Sequence, residues 1–190
     1  TLDGVPLSGQ STRALARRRA VLPQTPLLSF PFRVHEVVAM GRTPHEGRGR
    51  PQADHDIIVE AMRRVDVIAL AQRNYLTLSG GERQRVHLAR MLAQLWHPAD
   101  DGADRWLLLD EPTAALDLKY QLRLVKLLRS LAADGWGIIA VLHDLPLVKT
   151  HADRVVLFRN GRIAALGPPS QVLTTDHIHE VFDLDEPLAI

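Results

Sequence analysis

The chain of 190 residues contains no cysteine. Disulfides, thiolate metal sites and iron–sulfur clusters are therefore excluded, which fits a reducing cytosol. Net charge is almost missing too, with 23 Lys and Arg against 22 Asp and Glu. That balance leaves no global electrostatic footprint for nucleic acid or anionic lipid, and no nucleic-acid partner is expected. Arg17-Arg18-Arg19 reads as a solvated helix end rather than a phosphate-binding patch. No stretch approaches the ~20 apolar residues that span a bilayer, and the first residues do not read as a secretory signal. Any link to a membrane is expected to run through a partner protein. Lysine is absent ahead of Lys119. The sequence opens at Thr1 in mid-pattern, so the natural N-terminus is expected to lie upstream.

What is present is ordinary for a soluble globular protein, at 46% hydrophobic and 24% charged residues. The length suits one domain, or a core with a smaller lobe. Asp3-Gly4 reads as a turn, Ser11 or Thr12 as the cap of a short helix to about Arg18, and Ala20-Val21-Leu22 as a strand stopped by Pro23. From residue 24 to about 104, Pro26, Pro31, Pro44 and Pro51 cut the chain into short pieces, with Gly41, Gly47 and Gly49 marking a loop. Helical patterns lie at 34–40, 52–65 and 79–96; in the second, Ile57, Ile58, Ala61, Met62 and Val65 form an amphipathic stripe. Beyond 104, strands and helices alternate. Residues 106–109 read as a buried parallel strand, and 118–133 as a helix with Leu122, Val125, Leu128, Leu131 and Ala132 on one side. A second buried strand is expected at 137–142 and a short helix at 145–150. Asn160-Gly161 between two apolar runs predicts a hairpin, followed by two short helices and a terminal strand. The alternation argues for an α/β fold with a mainly parallel sheet and an inserted helical lobe.

Two segments carry chemistry. Trp106-Leu107-Leu108-Leu109-Asp110-Glu111-Pro112 ends an apolar strand in adjacent carboxylates, which is costly unless they have a use. At the C-terminal edge of a parallel sheet they face the crevice where ligands bind. The plainer alternative is a strand that stops at a polar turn, with Pro112 as terminator. Leu78-Ser79-Gly80-Gly81-Glu82-Arg83-Gln84 contains a Ser-x-x-Glu capping box, so a helix start alone explains Ser79 and Glu82. Capping does not require the two glycines, which cost roughly 0.5–1 kcal/mol each in a helix. They suggest close approach to bare backbone, and exposed N–H groups at a helix N-terminus suit an anion such as a γ-phosphate.

The second segment resembles, nearly letter for letter, the signature motif of ABC transporter ATPases. The first resembles the Walker B motif and catalytic glutamate that follow it in the family. Gln24, closing Val21-Leu22-Pro23-Gln24, resembles the Q-loop glutamine. Ala115-Leu116-Asp117 resembles the D-loop, and His143, closing Ile139-Ala140-Val141-Leu142-His143-Asp144, the switch histidine of the H-loop. Each is weak alone; their order and spacing together carry the resemblance. It implies a partial P-loop NTPase fold of the ABC ATPase type over 1–190, lacking the N-terminal part. Within it, 25–104 is expected as the inserted helical lobe with the signature motif. The remainder, 105–190, is expected as a RecA-like core with Walker B, D-loop and H-loop.

The resemblance also implies ATP and Mg²⁺ as cofactors. Asp110 would hold Mg²⁺ through a bound water, with Gln24 sensing the metal, and Glu111 would act as general base. His143 would contact the γ-phosphate. Ser79, Gly80, Gly81, Glu82 and Asp117 would serve nucleotide binding, since the family binds ATP between two head-to-tail subunits. The implied partners are a second copy of the chain, two permease subunits at the cytoplasmic face of the inner membrane and, indirectly, a periplasmic haem-binding protein.

One family element is missing. Walker A, G-x-x-x-x-G-K-[ST], grips the β- and γ-phosphates through its lysine and backbone. Ser8-Gly9-Gln10-Ser11-Thr12 fails as its end, because Gln10 stands where lysine belongs and the leading glycines are absent. The given residues are therefore expected to lack tight ATP binding and hydrolysis on their own. Val34-His35-Glu36-Val37-Val38 through Gly41-Arg42-Thr43-Pro44 resembles importers of iron chelates, haem and cobalamin. Phe30-Pro31-Phe32, His45 and the Trp96-His97-Pro98 to Arg105-Trp106 spacer are similar to haem importers. A siderophore or cobalamin importer is the alternative cargo reading, and a non-catalytic pseudo-ATPase subunit the alternative of another class. A DNA-repair or chromosome ATPase is disfavoured by the short lobe without heptads and by the neutral charge. His177-Ile178-His179 reads as a surface helix feature, not a haem ligand.

Overall fold

The computed structural model describes residues 1–2, 4–24, 28–47, 51–97, 102 and 104–184. Leu2 and Val5 bridge across a tight turn in which Gly4 has φ +78°; Asp3, the other residue of the expected turn, lies outside the described residues. Ser11, rather than Thr12, caps the first helix. Its hydroxyl oxygen accepts from the Ala14 N–H at 3.2 Å, and α1 runs over Thr12–Arg18. Strand β1, Arg19–Leu22, follows without a loop. Arg17 and Arg18 form the last turn of α1 and stay partly exposed, as a helix end does. Arg17 Nε donates to the Pro44 carbonyl at 2.8 Å, and Arg19 already belongs to the strand. The Pro44 carbonyl also accepts from Arg13 Nε at 3.0 Å, so two arginines of α1 meet the 40–45 turn.

The chain divides into two compact units, Thr1–Val141 and Leu142–Ile190. In the first, three helices pack together between the first and second strands: α2, Val34–Ala39; α3, Pro51–Arg64; and α4, Gly80–Gln94. The apolar periodicity explains their contacts. Val34, Val37 and Val38 of α2 and Ile57, Ala61 and Met62 of α3 are buried, as are Val86, Ala89, Leu92 and Ala93 of α4. Complete burial of a Val, Leu, Ile or Met side chain contributes about 1.5–3 kcal/mol. Arg42 is buried among them, and its charge is met by Asp54 at 2.7 Å and by the Ala93 carbonyl at 2.7 Å.

Strands β2, Trp106–Asp110, and β3, Gly137–Val141, are joined by helix α5, Leu118–Ala133. The sheet order is β1-β2-β3 and every pairing is parallel, with Leu22 opposite Leu109 and Leu109 opposite Ala140. Ala20, Leu22, Leu107 and Leu109 point to a buried face, in one cluster with α4 and α5 residues. The opposite face differs from the expectation of strands buried on both sides. Val21, Ile139 and Val141 are 50%, 53% and 52% exposed, because both packed helices lie on the first face. On helix α5 the expected Val125 and Leu131 are buried and Leu128 packs against the core, but Leu122 is exposed and Leu124 takes up burial in its place. Gly137 is fixed by packing: a Cβ there would lie 2.3 Å from the Trp106 ring.

The second unit contains α6, Leu145–His151; the antiparallel strands β4, Val155–Arg159, and β5, Arg162–Gly167; then α7, Pro169–Val172, and α8, Thr175–Phe182. Asn160 and Gly161 both have positive φ, 51° and 73°, as a two-residue type I′ turn demands. Val155, Leu157, Val172, Leu173 and Ile178 form a small core. No terminal strand follows α8 among the described residues, which end at 184. No helix among the described residues is long and apolar enough to cross a membrane.

Candidate functional site

Parallel strands in register deliver their C-terminal ends to one edge of a sheet. Gln24 leaves β1 through Pro23, and Asp110-Glu111 leaves β2 beside it, so the expected amide and carboxylates come off neighbouring strand ends. Asp110 is exposed and Glu111 half-buried; residues 25–27 lie outside the described residues. Glu111 sits in the left-handed region at φ +47°, a conformation that costs a non-glycine residue about 1–3 kcal/mol. Its neighbours hold it there. The Glu111 N–H donates to the Val141 carbonyl at 3.1 Å, and the Glu111 carbonyl accepts from the Ala114 N–H at 3.2 Å and from Gln84 Nε2 at 3.3 Å.

Gln84 brings in the second part of the site, the start of α4. Ser79 is the N-cap. Its hydroxyl oxygen accepts from the Glu82 N–H at 3.3 Å, and its own N–H donates to Glu82 Oε2 at 2.8 Å. The capping box is thus complete. The hydrogen bonds from the Ser79 backbone and side chain, aided by nearby Arg73, hold the Glu82 carboxyl below the ordinary carboxylate range. The glycines divide in role. A Cβ on Gly81 would fall 2.8 Å from the Ala115 carbonyl oxygen, so the chain's own backbone makes the close approach there. A Cβ on Gly80 would meet only the Ala115 methyl at 3.6 Å. Capping and internal packing therefore account for Ser79, Gly81 and Glu82, while exposed Gly80 has no such steric constraint.

Asp117 caps α5, accepting from the Tyr120 N–H at 2.9 Å. Tyr120 in turn donates its hydroxyl to Asp66 at 3.1 Å, and the Arg85 guanidinium lies 3.7 Å from its ring centre. The Ala115-Leu116-Asp117 turn is so held between α4 and α5. His143 falls in the second unit, two positions beyond β3 and just before Asp144, which caps α6 by accepting from the Leu147 N–H at 2.8 Å. The first unit gathers Gln24, Asp110, Glu111, the α4 start and Asp117; His143 belongs to the other unit. In that second unit His177 Nδ1 is 3.0 Å from the Val172 carbonyl.

Although Gln84 closes the segment that resembles the signature motif, sequence reasoning gave it no role of its own. It also missed His87, buried on α4 with Nε2 2.8 Å from the Tyr75 hydroxyl. Desolvation, with Arg90 nearby, pushes this imidazole down to about 4.

As for cofactors, Asp110 and Gln24 offer hard oxygen donors at adjacent strand ends. Such donors suit Mg²⁺, which binds through one or two carboxylates and keeps several waters. No group of three or more His, Asp or Glu forms a cage among the described residues. The Gly80 end of α4 presents helix N–H groups of the kind that receive phosphate oxygens.

A parallel sheet with carboxylates at its C-terminal edge, beside a glycine-started helix, is the construction of the P-loop NTPase fold in its ABC ATPase form. A family profile described as ABC transporter matches residues 1–114, and the chain belongs to that family. It is 46% identical over 182 residues to a hemin import ATP-binding protein, HmuV, of Mesorhizobium japonicum. It is 51% identical over 182 residues to the HmuV of Streptomyces coelicolor. These matches cover 96% of the chain in each case, and 69% and 62% of the respective relatives. A solved transporter described as of metal-chelate type, in an inward-facing conformation, superposes with a TM-score of 0.75 at 28% identity. That superposition covers 88% of this chain and 64% of the other. The chain thus spans roughly two thirds of the length of the proteins it matches.

Proposed function

We propose that the chain is the ATP-hydrolysing part of an importer that moves haem through a partner permease. The observation that carries the catalytic half is the Gln84–Glu111 link, which joins the strand-end carboxylates to the glycine-started helix in one unit. In this reading Glu111 orients the attacking water and accepts its proton. Asp110, with Gln24, holds Mg²⁺, whose charge stabilises the phosphoryl oxygens when bound. Ser79, Gly80 and Gly81 offer the α4 start to a phosphate held by a second copy of the subunit, with Glu82 keeping that start capped. Asp117 supports the turn beside it, and His143 contacts the γ-phosphate. Residues 25–104 serve as the helical lobe and 105–190 as the catalytic core. Two permease subunits take up the assembly at the cytoplasmic face of the inner membrane, fed by a periplasmic haem-binding protein.

The cargo rests on the haem-import relatives at 46% and 51% identity and on the Phe30–His45 pattern. A siderophore or cobalamin cargo would share the same catalytic residues. We further propose that these 190 residues alone do not hydrolyse ATP, because no lysine precedes Lys119 to grip the phosphates. In the assembled transporter, haem-stimulated, Mg²⁺-dependent ATPase should fall at least about a hundredfold with Glu111→Gln, in line with loss of a general base. Undiminished turnover in that variant would overturn the role of Glu111. In the isolated 190-residue chain, Mg²⁺-dependent phosphate release should not exceed that of its own Glu111→Gln variant. An excess over that variant would overturn the inactivity.

A further inference from the structure

Gln84 stands in an unusual balance. Its side-chain nitrogen donates to the Glu111 carbonyl at 3.3 Å, while its side-chain oxygen is buried without a hydrogen-bond partner. A buried amide oxygen left unpaired is unfavourable, and an apolar side chain of similar size would avoid the loss. The local packing alone therefore does not call for glutamine. What glutamine supplies is a donor aimed at the backbone of Glu111.

That backbone needs holding. Glu111 occupies the left-handed region, where a non-glycine residue persists only if its surroundings over-determine it. Its N–H is fixed by the end of β3 and its carbonyl by its own turn, through Ala114. Gln84 reaches this carbonyl from another element, α4. Three residues earlier on that helix, Gly81 lies so close to the Ala115 carbonyl that no Cβ fits. The helix start and the 111–116 turn thus meet along two adjacent contacts, one steric and one hydrogen-bonded.

We infer that Gln84 is a positioning residue, which fixes the peptide after Glu111 and thereby the aim of the Glu111 carboxylate relative to the α4 start. The functional consequence rests on the catalytic reading of Glu111 given above; the structural link does not. Gln84 touches no reacting atom in this account and acts through the Glu111 peptide.

Amide hydrogen exchange on the 190-residue chain tests the link without any ATPase readout. Gln84→Met keeps the bulk and removes the donor, and Gln84→Glu keeps the shape and replaces the donor with an acceptor. Both should raise exchange in peptides covering 111–116 several-fold, with the β4–β5 hairpin unchanged as internal control. Should Gln84→Met prove unstable, Gln84→Glu supplies the same reading. Unchanged exchange at 111–116, or an equal rise in the hairpin, would overturn the inference. In the assembled transporter, the aim of Glu111 predicts a several-fold loss in kcat with KM for ATP nearly constant. A rise in KM at constant kcat would contradict the positioning role even if the exchange result holds. If Glu111→Gln leaves turnover intact, the catalytic reading fails separately from the link.

Discussion

Gly80 and Gly81 are neighbours in sequence, yet a methyl group has very different consequences at the two positions. At Gly81 it would meet the Ala115 carbonyl at 2.8 Å, a backbone atom with little freedom to retreat. Gly81→Ala should destabilise the chain by about 1–3 kcal/mol, the usual cost of overpacking. Gly80→Ala, with 3.6 Å to the Ala115 methyl, should stay within about 0.5 kcal/mol. Urea unfolding distinguishes the pair, and equal losses in both variants would contradict the assignment. His87 gives a pH test. Burial lowers its folded pKa from 6.5 to about 4, so the unfolded chain binds a proton that the folded chain refuses between those values. The stability is complete above pH 6.5 and is lost as pH falls toward 4, by roughly 3 kcal/mol over the window. His87→Gln removes the titration and should show a flatter decline in urea midpoint between pH 7 and 4.5. Parallel declines in the two proteins would refute the buried neutral imidazole. The sequence makes Ser79, Glu82 and the glycine pair visible through their spacing. It does not reveal that the chain's own turn presses on Gly81, because that contact joins residues 34 positions apart.

At the scale of elements, local signals were strong wherever a single segment decides the outcome. The Ser-x-x-Glu box, the Asn160-Gly161 turn and the 118–133 helix all appear where their chemistry places them. The signals failed where a second element decides. Apolar content in β3 suggested burial on both faces, yet Ile139 and Val141 are exposed, because the covering helices lie on one side only. Leu122 matched a helical stripe, but burial on α5 falls on Leu124, Val125 and Leu131. Leu131→Ala should therefore cost about 2–5 kcal/mol, and Leu122→Ala less than about 1 kcal/mol, as read by thermal or urea unfolding. The Trp106–Gly137 contact predicts that Gly137→Ala displaces the ring, since a Cβ at 2.3 Å cannot be accommodated. A shifted tryptophan emission and a lower unfolding midpoint should accompany that variant; an unchanged spectrum and midpoint would show that the ring does not lie there.

For the whole molecule, near-zero net charge and the absence of cysteine narrow the class without naming it. The order of five short motifs carries the family, which the ABC transporter profile and the haem-import relatives support. Gln24 follows β1 and Asp110-Glu111 closes the neighbouring β2, while His143 belongs to the other unit. The cargo leaves a fainter trace, because an ATP-hydrolysing subunit does not itself have to touch what the permease carries. The most direct measurement is therefore uptake in cells. Iron-starved cells whose own gene carries Glu111→Gln should lose haem-iron uptake and growth on haem, and should keep uptake of siderophore iron and of cobalamin. Wild-type haem uptake in those cells, or a loss confined to siderophore iron or cobalamin, would contradict the account.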